Sequence, residues 1–163
     1  YLLSSTILIK TGLSTSCDRA VIMMQKEVGE RVAAPPGSRG CGVLSVFMQA
    51  WFDIHRVTTA PGSAFRPRTR VDSVVLRFDP AGRDGAPADR EKFLAFVKQG
   101  FSQRRKKLVN VLASLPGGPG GAPAGKGAVR AVAGAAGIDI DRRPEELALD
   151  EWFTLFEALG PEN

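Results

Sequence analysis

The order of hydrophobic and polar positions divides the chain into a mixed first part and a helical second part. Apolar residues recur with a rough helical period over Leu2–Leu13, whereas 19–24 is a compact apolar run of strand length. A strand that is apolar on both faces is typical of a sheet covered by helices. Further helices are predicted over 26–34 and 43–51, and further strands over 52–58 and 71–78.

The second part begins after a change in composition. Residues 80–88 are rich in Pro, Gly, Ala and Asp, which predicts a linker or an exposed loop. From Asp89, a plausible helix N-cap, the pattern is helical only. Helices are predicted over 90–100, 101–115, 128–136 and 150–159. The Pro/Gly-rich tract 116–127 predicts a flexible loop between two of them. The chain is therefore predicted to be α/β over 1–80 and a small all-helical domain over 81–163.

Composition narrows the class of protein. The 163 residues contain 22 Lys and Arg against 17 Asp and Glu, and the net charge of +5 fits a polyanionic partner. No apolar run approaches the roughly 18–20 residues of a membrane span, so no membrane partner is expected. Cys17 and Cys41 are too few for a disulfide scaffold or a Cys-rich zinc site. We expect two buried or partly buried thiols in a reduced, cytoplasmic protein.

Two clusters of basic residues are candidates for contacts with nucleic acid. The first follows Phe65 and consists of Arg66, Arg68 and Arg70. Their alternation on an extended segment would place the guanidinium groups along one face, where they could reach phosphates. The second consists of Arg104, Arg105, Lys106 and Lys107. On a helix these four would cover more than half of the circumference. A solvated charged face is the alternative for both clusters.

Phe65 itself allows two interpretations. It lies in a predicted loop between Pro61 and Pro67, beside the arginines. It could pack against the sheet, as most aromatic residues do, or it could form a platform for base stacking.

Other catalytic chemistry is poorly supported. His55 is the only histidine and has no Cys, His or carboxylate neighbour at ligand spacing, so neither a metal site nor a Ser-His-Asp arrangement is predicted. The tract 120–127 approaches a phosphate-loop pattern. However, Gly127 occupies the position that requires Ser or Thr, and no strand precedes the tract.

Five sequence blocks, which occur along the chain in the same order as in the family, resemble the ribosomal RNA adenine dimethyltransferases. The block 65–73 resembles their FxPxPxVDS signature, with Thr69 in place of the second Pro, which predicts a less rigid loop. The block RPEEL at 143–147 favours the enzymes of small-subunit rRNA over the antibiotic-resistance methylases of large-subunit rRNA. The other blocks are QKEVGER at 25–31, PGS followed by GVLSV between 36 and 46, and FSQRRKKL at 101–108.

The resemblance implies the C-terminal part of a Rossmann-like methyltransferase sheet followed by a small helical domain. Residues 1–80 would be the C-terminal half of the catalytic domain. Tyr1 would be the last residue of the family's NLPY motif. The residues that bind S-adenosylmethionine would then lie upstream of Tyr1, and the chain would be a fragment. With strands missing, an exposed sheet edge and an uncovered apolar face are expected.

The implied function is dimethylation of two adjacent adenosines near the 3′ end of small-subunit rRNA, with S-adenosylmethionine as methyl donor and no metal. Tyr1 would stack on one face of the extruded adenine and Phe65 would pack from the other side. The two basic clusters would contact phosphates of the pre-ribosomal small subunit, and the protein would be a monomer. A non-catalytic RNA-binding or ribosome assembly factor remains the alternative.

Overall fold

The computed structural model describes residues 2–114 and 125–160, and side chains from residue 4 onward. The helices are α1 (Leu2–Leu13), α2 (Lys26–Val32), α3 (Val43–Gln49), α4 (Arg90–Gly100), α5 (Leu108–Leu112), α6 (Gly125–Ala135) and α7 (Leu149–Leu159). The strands are β1 (Ala20–Gln25), β2 (Phe52–Ala60) and β3 (Ser73–Pro80). Short 3₁₀ helices cover Gly62–Ala64, Phe101–Gln103 and Pro144–Glu146.

The strands form one open sheet with β3 in the centre. The order is β1-β3-β2, and β3 is antiparallel to both neighbours. The outer strands therefore run in the same direction, and a crossover through α2 and α3 connects them. A bulge interrupts the pairing of β2 with β3 between Arg56 and Thr58.

Only one face of this sheet is covered by the helices that the structure describes. On that face Val74, Leu76 and Phe78 are at most 1% exposed. A Cβ on Gly29 of α2 would lie 2.2 Å from Val74 Cγ1, so a glycine is required for this close approach. On the other face Val21 is 60% and Met23 55% exposed. Among the described residues, helices cover only one face of β1, and the expected open edge and uncovered apolar side chains are present.

Several other boundaries also differ from the sequence predictions, most of them by one or two residues. The predicted helix 101–115 is wrong, because the main chain at Lys107 is extended (ψ 142°) and separates a 3₁₀ turn from α5. Helix α6 begins at Gly125, so the last three residues of the predicted loop 116–127 are helical, and 116–124 lie outside the described residues. Strand β3 begins at Ser73, two residues later than predicted, and the main-chain oxygen of Asp72 just before it accepts a hydrogen bond from Lys26 N.

Asp89 is the N-cap of α4 as predicted, its carboxylate accepting a hydrogen bond from Lys92 N at 2.9 Å.

The buried core is continuous across residue 80. The ring of Trp51 lies 5.0 Å from Phe47 in α3 and 5.6 Å from Phe93 in α4, both in edge contacts. Phe93 in turn contacts Phe153 of α7 at 5.7 Å. These aromatic contacts pack the sheet layer against the helical part. The division of the chain into 1–80 and 81–163 stays a prediction.

Both thiols lie as predicted. Cys41 is fully buried and Cys17 is partly buried. Burial raises the pKa of the Cys41 thiol to about 11, against smaller opposing effects from Ser45 and Arg104. Cys41 is therefore protonated at neutral pH and serves packing.

No helix among the described residues has both the length and the apolarity to cross a membrane.

Arg90 joins the start of α4 to the end of α1. Its Nη1 donates to the main-chain oxygens of Gly12 at 2.9 Å and Ser14 at 2.7 Å. The guanidinium group lies 4.9 Å from the centre of the Trp51 ring. Because two carbonyl groups lose a charged donor, we expect Arg90→Met to lower the free energy of unfolding by about 1–3 kcal/mol.

Urea denaturation would measure this loss. Lys98→Met is the matched control, since Lys98 is an exposed cation on the same helix with no partner among the described residues. Equal losses in the two variants would contradict the role of Arg90.

Candidate nucleic-acid interface

Phe65 lies in the loop 61–72, which connects β2 to β3. The ring is half-buried, while Arg66, Arg68 and Arg70 are exposed. No ion pair to these arginines is found within the described residues. The segment contains a 3₁₀ turn followed by bends and is not a regular strand. The interpretation of the arginines as one face of an extended segment is therefore wrong, although they do present unpaired charge to solvent.

The base of this loop is closed by hydrogen bonds. Gly62 N donates to Asp72 Oδ1 at 3.0 Å, and Thr69 N donates to Gly62 O at 3.1 Å. A Cβ on Gly62 would lie only 2.3 Å from Thr69 O. The resemblance predicts a less rigid loop because Thr69 replaces a proline. The structure shows that Thr69 uses the N–H group that a proline would lack.

The second basic cluster lies in a turn between the 3₁₀ helix Phe101–Gln103 and α5. The assumption that it is helical is wrong. Two of its side chains have partners: Arg104 Nη2 donates to Cys41 O at 3.1 Å, and Lys107 Nζ lies 3.6 Å from Asp141 Oδ1. The side chains of Arg105 and Lys106 have no hydrogen bond or ion pair within the part of the chain that the structure describes, although Lys106 N donates to Gln103 O at 2.8 Å. The sequence alone did not show that the side chains of Arg104 and Lys107 have partners and those of Arg105 and Lys106 do not.

A buried aromatic stack fixes the position of this turn. Phe101 lies parallel to Trp152 of α7, with ring centroids 5.5 Å apart and an angle of 15° between the planes. Both rings are at least 93% buried, because Phe101 is 7% and Trp152 0% exposed. An open cavity of about 720 Å³ is lined by residues 101–106. Arg105 and Lys106 therefore line this cavity, in a turn that follows the buried Phe101–Trp152 stack.

Three of the family-like blocks meet near this turn. A Cβ on Gly37, in the PGS block, would lie 3.8 Å from Glu146 O, in the RPEEL block. Leu108 N, at the end of the FSQRRKKL block, donates to Arg142 O at 2.9 Å. Arg142 also forms an ion pair with Glu151 of α7. These contacts could not be predicted from local patterns, because most of them join residues that are distant along the chain.

Tyr1, the other predicted stacking residue, lies outside the described residues. His55, the only histidine, has its Nε2 3.8 Å from Asp79 Oδ2 on the open face of the sheet. Hydrogen bonds from Arg19 and Arg77 outweigh desolvation there and lower the pKa of Asp79. The described residues contain no group of three His, Cys, Asp or Glu side chains that could hold a metal ion.

A family model described as ribosomal RNA adenine dimethylase matches residues 1–159. The chain belongs to this family. It is 42% identical over 144 residues to the ribosomal RNA small subunit methyltransferase A of Syntrophotalea carbinolica, covering 88% of this chain and 52% of the relative. The protein of the same name from Geobacter sulfurreducens is 45% identical over 143 residues, covering 86% of this chain and 50% of the relative. The chain thus spans about half the length of these relatives.

Solved structures confirm the fold class. A dimethyladenosine transferase from Plasmodium falciparum superposes with a TM-score of 0.77 at 21% identity, covering 96% of this chain and 62% of that one. The 23S rRNA methyltransferase ErmE superposes with a TM-score of 0.63 at 20% identity, covering 98% of this chain and 62% of that one. The chain has the α/β fold of these methyltransferases, as the sequence blocks predicted.

Proposed function

We propose that the whole protein dimethylates two adjacent adenosines near the 3′ end of small-subunit rRNA and thereby takes part in ribosome biogenesis. The observation that carries this proposal is the family match over residues 1–159, which includes the loop with Phe65. The relatives named above, which are called small subunit methyltransferases, support the choice of substrate.

S-adenosylmethionine would supply the methyl group. The described residues do not fit a site for it, because a site of this kind uses a glycine-rich turn between a strand and a helix. Strand β1 ends at Gln25 and α2 begins at Lys26, with no glycine between them, while β2 and β3 run into loops. We therefore infer that the methyl-donor site lies outside the described residues.

The described residues contribute to holding the RNA and the target base. The lone pair of an adenine amine is delocalised into the ring, so the amine is a poor nucleophile and must be held in one orientation beside the methyl donor. The base must also leave the stack, because its amine cannot be reached inside a duplex. Phe65 would pack on one face of that base, and Tyr1 would stack on the other. Stacking on an aromatic side chain contributes about 1–3 kcal/mol per base.

The unpaired cations would hold the RNA backbone. Arg66, Arg68 and Arg70 follow Phe65 in the same loop, while Arg105 and Lys106 lie on the helical part. Such groups fix the register of a nucleic acid through its phosphates without reading its sequence. The shape of the small-subunit rRNA would then supply most of the specificity.

The role of Phe65 is tested by methyl transfer to small-subunit RNA with the complete protein. Because one stacking partner is lost, we expect Phe65→Ala to lower kcat/KM by roughly 5- to 150-fold. RNA affinity should be largely kept, since the arginines remain. Phe65→Tyr is the control, because it retains an aromatic face. Unchanged turnover in Phe65→Ala would contradict the stacking role.

A non-catalytic RNA-binding or assembly factor is the second candidate. The unpaired cations within the described residues favour it, because they would act in the same way without chemistry. Binding of RNA by the complete protein, without any methyl transfer, would select this candidate.

A further inference from the structure

We propose that Asp72 is a positioning residue for methylation: together with Gly62 and Thr69 it forms a clamp that sets where Phe65 and the neighbouring arginines face the RNA. The inference rests on the proposed function and goes beyond it, because Asp72 is not itself placed against the base.

Asp72 ties the loop to two separate parts of the structure. Its carboxylate Oδ1 accepts the hydrogen bond from Gly62 N at 3.0 Å, ten residues earlier in the chain. Its main-chain oxygen accepts from Lys26 N at 2.9 Å, at the junction of β1 and α2. One residue thus joins the start of the loop, its end and the edge of the sheet.

Thr69 supplies the second closure. Its N–H group bonds to Gly62 O, and its hydroxyl donates to Val71 O at 2.9 Å. Both main-chain polar groups of Gly62 are therefore used inside the loop. The residues between, including Phe65, are held as a short closed segment, which lowers the entropy lost when RNA orders them.

The charge of Asp72 distinguishes this role from a direct contact with RNA. A carboxylate beside Arg70 repels phosphates, so an electrostatic effect alone would make its removal favourable for RNA binding. The clamp predicts that Asp72→Ala is unfavourable for methylation, because the hydrogen bond from Gly62 N is lost. Asparagine removes the charge but keeps an oxygen that can accept from Gly62 N.

Trypsin digestion of the complete folded protein measures the clamp without RNA. Cleavage after Arg68 and Arg70 reports opening of the loop, while Arg66 is followed by Pro67 and resists cleavage. We expect Asp72→Ala to raise the rate after Arg68 roughly tenfold, as for loss of one hydrogen bond, and Asp72→Asn to stay near wild type because its amide oxygen can still accept from Gly62 N. Asp84→Ala is the control, since it removes an exposed acid that has no partner among the described residues. Equal cleavage in wild type and Asp72→Ala would overturn the clamp.

Methylation kinetics of the complete protein test the positioning role. We expect Asp72→Ala to lower kcat for methyl transfer, with rescue by Asp72→Asn and an unchanged melting temperature. Equal effects of alanine and asparagine, or a loosened loop with unchanged kcat, would overturn it. A wild-type protein without methyl transfer would overturn the proposed function and the positioning role together. The digestion would still show whether Asp72 holds the loop closed.

Discussion

Replacement of Trp152 by alanine is expected to lower the free energy of unfolding by about 3–5 kcal/mol. Trp152 is 0% exposed, stacks on Phe101 at 5.5 Å and meets the edge of Phe96 at 6.1 Å. The substitution would leave a large cavity at the centre of the helical part. Urea denaturation followed by circular dichroism would measure the loss.

Trp152→Phe separates packing from hydrogen bonding. The indole N–H of Trp152 has no hydrogen-bond partner within the described residues, so its removal leaves no acceptor unsatisfied. We therefore expect a smaller loss of stability than in Trp152→Ala. If alanine and phenylalanine cost the same, or if neither changes stability, the stack on Phe101 does not fix the basic turn.

The second large effect is expected in the binding of RNA. Arg105→Ala/Lys106→Ala removes two unpaired cations and should reduce the slope of log affinity against log salt by roughly 1.4–1.8. Fluorescence anisotropy over a salt series with small-subunit RNA would measure this slope. Binding should weaken most at low salt, where release of counterions contributes most.

Arg104→Ala/Lys107→Ala is the matched control, because it removes the same number of charges from the same turn. Arg104 donates to Cys41 O and Lys107 lies near Asp141, so these cations are partly engaged within the fold. We expect a smaller change in the salt slope and a lower melting temperature. A flat salt response in the wild-type protein, or a larger change of slope in this control, would contradict the proposed interface.

Local patterns predicted the elements that depend on neighbouring residues. The apolar run before Gln25 is a strand, and Asp89 caps α4. The length of the helix after Gly100 could not be predicted in this way, because the turn at 104–107 is held by contacts with Trp152 and Cys41, which are distant in sequence. The apolar pattern of β1 also could not reveal that one of its faces is open among the described residues.

The candidate site was predicted in part. The motif at 65–73 located the loop with Phe65, and the two basic clusters were recognisable as groups of Arg and Lys residues in the sequence. The clamp by Asp72 could not be predicted, because its hydrogen bond with Gly62 forms only when the loop closes in space. The single signal in the sequence was that Asp72 belongs to the motif without an assigned role. Its exposed charge next to Arg70 also gave no reason to choose a structural role.

Methyl transfer by the complete protein is the most direct test of the central claim. Small-subunit RNA is incubated with the protein and S-adenosylmethionine, and its nucleosides are then analysed by mass spectrometry with mapping of the modified positions. We expect two methyl groups on the exocyclic nitrogen of each of two adjacent adenosines near the 3′ end. RNA that is bound in a salt-dependent manner but gains no methyl group would contradict it.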